Sequence, residues 1–109
     1  MSDPIAAERL DNYTLVRNRR LRGVLLSILA ITPGERSSAV ELHAMTAGEA
    51  VPYTMAEIEA QLGWLGEHGY IIATVRVGEL VGAITDKGAD AVTRRNIDAE
   101  ITQPRPRAR

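Results

Sequence analysis

The chain has 109 residues, enough for one domain with a single hydrophobic core. Its 45% hydrophobic and 25% charged residues are ordinary for a globular protein, and the lack of cysteine excludes disulfides, thiolate metal sites and a cysteine nucleophile. The net charge of −1 hides a segregation. Residues 1–22 set five arginines against three acids, residues 23–93 set three cations against nine acids, and residues 94–109 set five arginines against two acids. An acidic body thus lies between two basic ends.

The first element expected is a short helix from Asp3 to Leu10, with Pro4 at a permitted first-turn position. A second helical pattern runs from Tyr13 to Ile31. In it Leu21, Val24, Leu25, Ile28 and Leu29 form one apolar stripe, and Arg19, Gly23, Ser27 and Ala30 lie opposite. Those small residues suit either close approach by another helix or simple exposure. Thr32-Pro33-Gly34 stops the helix.

Ser38-Ala39-Val40-Glu41 is a capping box that opens the next helix, which is expected to bury Val40, Leu42 and Met45 and to end near Ala47-Gly48. Thr54-Met55-Ala56-Glu57 is a second capping box and starts a helix through to His68. Its core face is Ile58, Leu62 and Leu65, with Met55 alongside, and Gly69 ends it in a left-handed conformation.

Tyr70 to Val77 is rich in β-branched residues and predicts a strand. A turn at Gly78-Glu79 and a returning strand from Leu80 to Ile84 complete a hairpin. Thr85-Asp86 caps a last helix, Lys87 to about Ile101, with Ala89, Val92, Ile97 and Ile101 inward. In QPRPRAR, residues 103–109, proline and arginine alternate, which predicts a flexible basic tail. The fold class expected is α+β, mainly α with a small β-hairpin, in the order helix, helix, helix, strand, strand, helix.

Several function classes find no support. No Gly-x-Gly-x-x-Gly follows a strand, and no Gly-x-x-x-x-Gly-Lys-Ser/Thr occurs. His43 and His68 are far apart in sequence, and Glu41 and His43, two positions apart, do not share a helix face. No enzyme, metal site or cofactor is expected. Val24 to Ile31 is broken by Ser27 and is too short for a membrane span, and the opening MSDPIAAERLDN lacks signal-peptide character. The expected setting is the cytoplasm, with no membrane partner.

The stretch AEIEAQLGWLGEHGYI, then a hairpin, then ITDKGADAV, resembles the winged-helix repressors of the MarR and PadR type. The shared features are Leu-x-x-Leu-x-x-x-Gly-x-Ile, here Leu62 to Ile71, and Thr-x-x-Gly, here Thr85 to Gly88. A nearer likeness is to small winged-helix proteins of Mu-like transposable phages, with Leu-x-Trp-Leu-x-x-x-Gly and a Pro- and Arg-rich end, over residues 20–107. The resemblance implies a winged helix in residues 13–86, after an accessory segment at 1–12. It also implies a dimerising helix at 87–102, a homodimer, and transcriptional regulation on double-stranded DNA.

The residues themselves qualify that implication. The outer face of the third winged-helix helix, by a 100° plot, is Ala56, Glu57, Ala60, Gly63, Trp64 and Glu67, with Gln61 on its flank. No Lys or Arg occurs between Arg36 and Arg76, so base and phosphate contacts from this helix are poorly supplied. DNA affinity is therefore expected from Arg17, Arg19, Arg20 and Arg22, with Arg76, Arg94, Arg95 and the tail, unless these arginines are simply solvated. Trp64 fits three roles: an internal anchor, an interface residue or a stacking platform for a base. The second functional expectation is a protein-interaction adaptor that docks through Ala56, Ala60, Gly63, Trp64 and Glu67.

Overall fold

A computed structural model describes residues 4–93 and 98–103. The order is α1 (Pro4–Ile31), a 3-10 turn (Pro33–Glu35), β1 (Arg36–Ser38), α2 (Ala39–Met45), α3 (Met55–Glu67), β2 (Ile71–Arg76), β3 (Glu79–Ile84) and α4 (Asp86–Val92). The fold is α+β, with four helices and one three-stranded antiparallel sheet among the described residues, in the order β1-β3-β2.

Several features differ from the sequence expectation. The segments expected as two helices, Asp3–Leu10 and Tyr13–Ile31, are one continuous helix from Pro4, because no residue between them breaks the helical backbone. A short strand, β1, precedes α2 and pairs with β3 through Arg36↔Ala83, Ser37↔Gly82 and Ser38↔Val81. Three residues are too few to show a period, so the sequence gives no sign of it. The last helix ends at Val92 rather than near Ile101. Ile97 lies outside the described residues, and Ile101 reaches the core from a turn rather than a helix.

Both capping boxes form, Ser38 with Glu41 and Thr54 with Glu57, each side chain bonding the other's free backbone N–H. Gly69 stands at φ +80 and turns the chain from α3 into β2, where Tyr70 N–H donates to the Leu65 carbonyl. The core gathers Leu21, Leu25, Leu26 and Leu29 of α1 with Leu42, Ile58, Leu62, Leu65, Tyr70 and Ile71. Leu26, absent from the predicted stripe, is fully buried, whereas Val24 and Ile28 are only partly so. Val40 and Met45, expected inside, are half exposed because α2 is just seven residues long and turns only Ala39 and Leu42 inward.

Two positions in the hairpin region show what the backbone demands. The turn is Val77-Gly78 rather than Gly78-Glu79, since Arg76 pairs with Glu79. Both turn residues have positive φ, 50° at Val77 and 78° at Gly78, as the right-handed twist of a two-residue hairpin requires. Gly78 adopts this without cost, but the β-branched Val77 is strained there, and it is fully exposed. At the start of α4, Gly88 packs on the backbone of Tyr70. A Cβ on Gly88 would sit 2.2 Å from the Tyr70 carbonyl oxygen. Thr85 completes the junction, its N–H donating to the Tyr70 carbonyl and its hydroxyl to the Gly69 carbonyl.

Replacing Val77 with Asn should raise stability by about 1 kcal/mol in chemical denaturation, because Asn tolerates the left-handed region. Gly88→Ala should lower it by about 1–3 kcal/mol, since the new methyl meets backbone that cannot rotate away.

Candidate interaction surface on α3 and α1

The side of α3 that faces α1 is built from polar and aromatic groups. Arg22 is 6% exposed and lies between Leu21 and Leu25 in the buried part of α1. Its Nε donates to Gln61 Oε1 at 2.8 Å, and its Nη1 donates to the Glu100 backbone carbonyl at 2.9 Å. The Glu100 carboxylate lies 3.5 Å from the same nitrogen. The guanidinium carbon stands 3.8 Å from the centroid of the Trp64 ring, a cation–π contact. Burial pushes the Arg22 pKa below its ordinary value, and the nearby Glu100 carboxylate partly opposes that.

Trp64 continues the stack outward. His68 lies 3.8 Å away ring to ring, nearly parallel, and Tyr70 lies at 6.1 Å. Lys87 Nζ sits 4.4 Å from the Tyr70 ring and donates to the His68 carbonyl. The Tyr70 hydroxyl donates to the Asp98 carboxylate. Its pKa is pushed up to about 12, by burial first and then by Asp98, while Asp98 is held below the usual carboxylate range by that hydrogen bond.

Residues 98–103 form a strap that returns across α1. Ile101 enters the core, Thr102 N–H donates to the Arg19 carbonyl, and Gln103 donates to the Ala91 carbonyl. Glu100 also pairs with Arg19, Nη2 to Oε1 at 3.0 Å. At the other end of α3, Arg17 grips Glu57 with Nε at 2.6 Å and Nη2 at 3.0 Å, donates to the Pro52 carbonyl, and covers the Tyr53 ring. This charge-assisted fork holds Glu57 down at about 2 from its ordinary 4.5. It raises the Arg17 pKa further above its already high value.

These contacts redistribute the residues expected to touch DNA. Arg17, Arg19 and Arg22 are bonded to carboxylates of their own chain, and Arg22 is buried, so the proposed patch on α1 is largely spent inside the fold. Arg20, Arg36 and Arg76 are exposed and have no carboxylate partner among the described residues. Arg36 and Arg76 lie on the same face of the sheet, the one turned away from α3, along with Ile72 and Thr74. Arg94, Arg95 and the tail residues 104–109 lie outside the described residues.

The residues expected to meet a protein also divide. Trp64 is partly buried in the stack between Arg22 and His68, so it belongs to the α1 side of α3 and not to its outer face. Gln61, placed on the flank by the helical plot, is buried at 7%, because the core side of α3 is rotated toward Arg22. What remains outside is Ala56, Glu59, Ala60, Gly63 and Glu67. A Cβ on Gly63 would meet nothing within 4 Å. This outer face is small, acidic and free of cations.

Neither Glu100 nor Gln61 was marked by the sequence as a partner of α1. The available signal was Arg22 itself, a cation inside the arc of Leu21, Leu25 and Leu26, which demands acceptors wherever the chain can bring them. No group of three His, Asp or Glu side chains placed to hold a metal ion occurs among the described residues. No helix among them is long and apolar enough to cross a membrane. A shallow cavity of about 200 Å³ lies between α1 and the loop before α3, lined among others by Tyr13, Val16, Arg20, Val51 and Tyr53.

The lowered pKa of Glu57 sets a pH dependence. A carboxylate whose folded pKa is below its unfolded value stabilises the fold above the unfolded value and loses that contribution as pH falls toward about 2. Glu57→Gln keeps the capping geometry but removes the charge, so it should lower stability by about 1–3 kcal/mol at neutral pH. The gap between the two proteins should close as denaturation is repeated from about pH 4.5 down to about pH 2. No family model, curated protein or solved structure matches this chain.

Proposed function

We propose that this chain is a winged-helix interaction module in which α3 docks a protein rather than reading bases. The element order supports a winged helix: β1 lies between α1 and α2, α2 and α3 form the helical pair, and β2 and β3 form the wing. In that arrangement α3 occupies the position of a recognition helix. The observation that carries the reading is the chemistry of its outer face. Ala56, Ala60 and Gly63 leave the helix backbone open to close approach, and Glu59 and Glu67 would repel phosphates. The arginines of α1 compensate only in part, because Glu57 and Glu100 already hold three of the five, Arg17, Arg19 and Arg22.

A second reading is favoured by Arg36 and Arg76, which share a sheet face without carboxylate partners among the described residues. With Arg20 and the basic ends, they would give a small phage-type regulator that grips duplex DNA by phosphate contacts of low sequence specificity.

Anisotropy of a labelled duplex titrated at low salt, together with a photo-crosslinking amino acid placed at Gly63, separates the two. The docking reading expects no salt-dependent DNA binding, and a discrete protein adduct from Gly63 in cells that carry the gene. Salt-dependent binding whose slope drops by about one for each of Arg36→Ala and Arg76→Ala, with no adduct at Gly63, would establish the DNA reading instead.

A further inference from the structure

The amino-terminal part of α1 is open to solvent, and its Tyr13, Val16 and Arg20 border the shallow cavity opposite Val51 and Tyr53 rather than packing into the core. Every residue from Glu8 to Val16 is exposed, and the longest dimension of the molecule is 49 Å. Leu10, Tyr13 and Val16 are 66%, 56% and 60% exposed. A helical arm of this kind has weak intrinsic support, since Asn12, Tyr13, Thr14 and Val16 are poor helix formers. Its backbone order therefore needs a surface to lie on.

We infer that the arm of α1 docks on the outer face of α3 of a second copy, and that two copies exchange arms in a closed symmetric dimer. The inference rests on the reading of α3 as a docking face and names its occupant. Two complementary patterns carry it. On the arm, Arg9, Tyr13, Val16 and Arg20 recur at i, i+4, i+7 and i+11 and so share one face, with Leu10 beside them. On α3, Ala56, Ala60, Gly63 and Glu67 have the same spacing, with Glu59 beside them. An antiparallel pairing sets Arg9 against Glu67, Tyr13 over Gly63 and Val16 over Ala60, and leaves Arg20 within reach of Glu59.

Large apolar groups then meet small ones, and free cations meet free acids. Neither Arg9 nor Arg20, and neither Glu59 nor Glu67, has a charged partner among the described residues. Opposed helix dipoles favour the same direction. Because each copy offers both an arm and a face, a two-fold axis satisfies both contacts at once and leaves no open end for a filament.

Sedimentation equilibrium of the full chain tests this. The wild-type chain is expected to be a dimer. Tyr13→Glu and Gly63→Arg should each give a monomer that still unfolds in one cooperative thermal transition, now independent of protein concentration, since both positions are exposed or open. Glu67→Arg should weaken the dimer at least tenfold, and Arg9→Glu in the same chain should restore it. A monomeric wild-type chain, or a dimer indifferent to Tyr13→Glu, overturns the inference. If Gly63→Arg dissolves the dimer while Tyr13→Glu and Arg9→Glu do not, α3 is a docking face but the arm is not its occupant, so the inference fails and the reading of α3 stands. If the chain is monomeric while Gly63 still crosslinks to another protein, the same division holds.

Discussion

The buried guanidinium of Arg22 is the constraint on which the arrangement of α1, α3 and the carboxy-terminal strap depends. A cation in the core side of a helix must find acceptors or raise the energy of the fold by several kcal/mol. Here the acceptors come from two distant places, Gln61 on α3 and Glu100 on the strap, and the open π face comes from Trp64. Each of these groups is fixed in turn: Trp64 by His68 and Tyr70, the strap by Tyr70 and Asp98, and Glu100 by Arg19. The net stabilisation from such a network is modest, because desolvation offsets much of the attraction. What it gives is register: one position of α3 against α1, and one position for residues 98–103 on both.

That register also decides what the surface can do. Turning Glu57, Gln61 and Trp64 toward α1 leaves the opposite side of α3 with its smallest residues and two acids that have no cationic partner among the described residues. Three of the arginines that a DNA-binding chain would present, Arg17, Arg19 and Arg22, are drawn to the same seam and paired there. The sheet joins the other end of α3, with Gly69 turning the chain and Gly88 letting α4 sit directly on the Tyr70 backbone. The rigid parts of the molecule are thus assembled on the inner side of α3, and its outer side is left bare.

Helix positions were legible where capping chemistry or a long apolar period marked them. Ser38 with Glu41 and Thr54 with Glu57 fixed both helix starts, and Ile58, Leu62 and Leu65 gave the core face of α3. β1 was not legible, because its three residues owe their strand geometry to β3 and not to their own side chains. The hairpin turns one residue earlier than its sequence suggests, since Gly-Glu is better turn chemistry than Val-Gly, and only the Arg76↔Glu79 pair shows which two residues turn. The site was half legible. The absence of cations on α3 could be counted directly, but the engagement of Arg17, Arg19 and Arg22 could not. Their partners lie between 35 and 81 residues away, beyond the range of any local pattern.

The strap has a kinetic meaning as well. The contact of Arg19 with Glu100 spans 81 positions, so it closes about three quarters of the chain into a loop. Loop-closure entropy makes such contacts slow to form, and local capping and helix contacts run ahead of them. The strap is held by one buried side chain and a few hydrogen bonds at the edge of the fold, which makes it a unit of low local stability. Its docking is thus expected to follow the local helix contacts rather than to lead them. Until it docks, Arg22 lacks the acceptors that Glu100 supplies. Docking of the strap is in this sense an electrostatic event, the delivery of acceptors to a cation in the core.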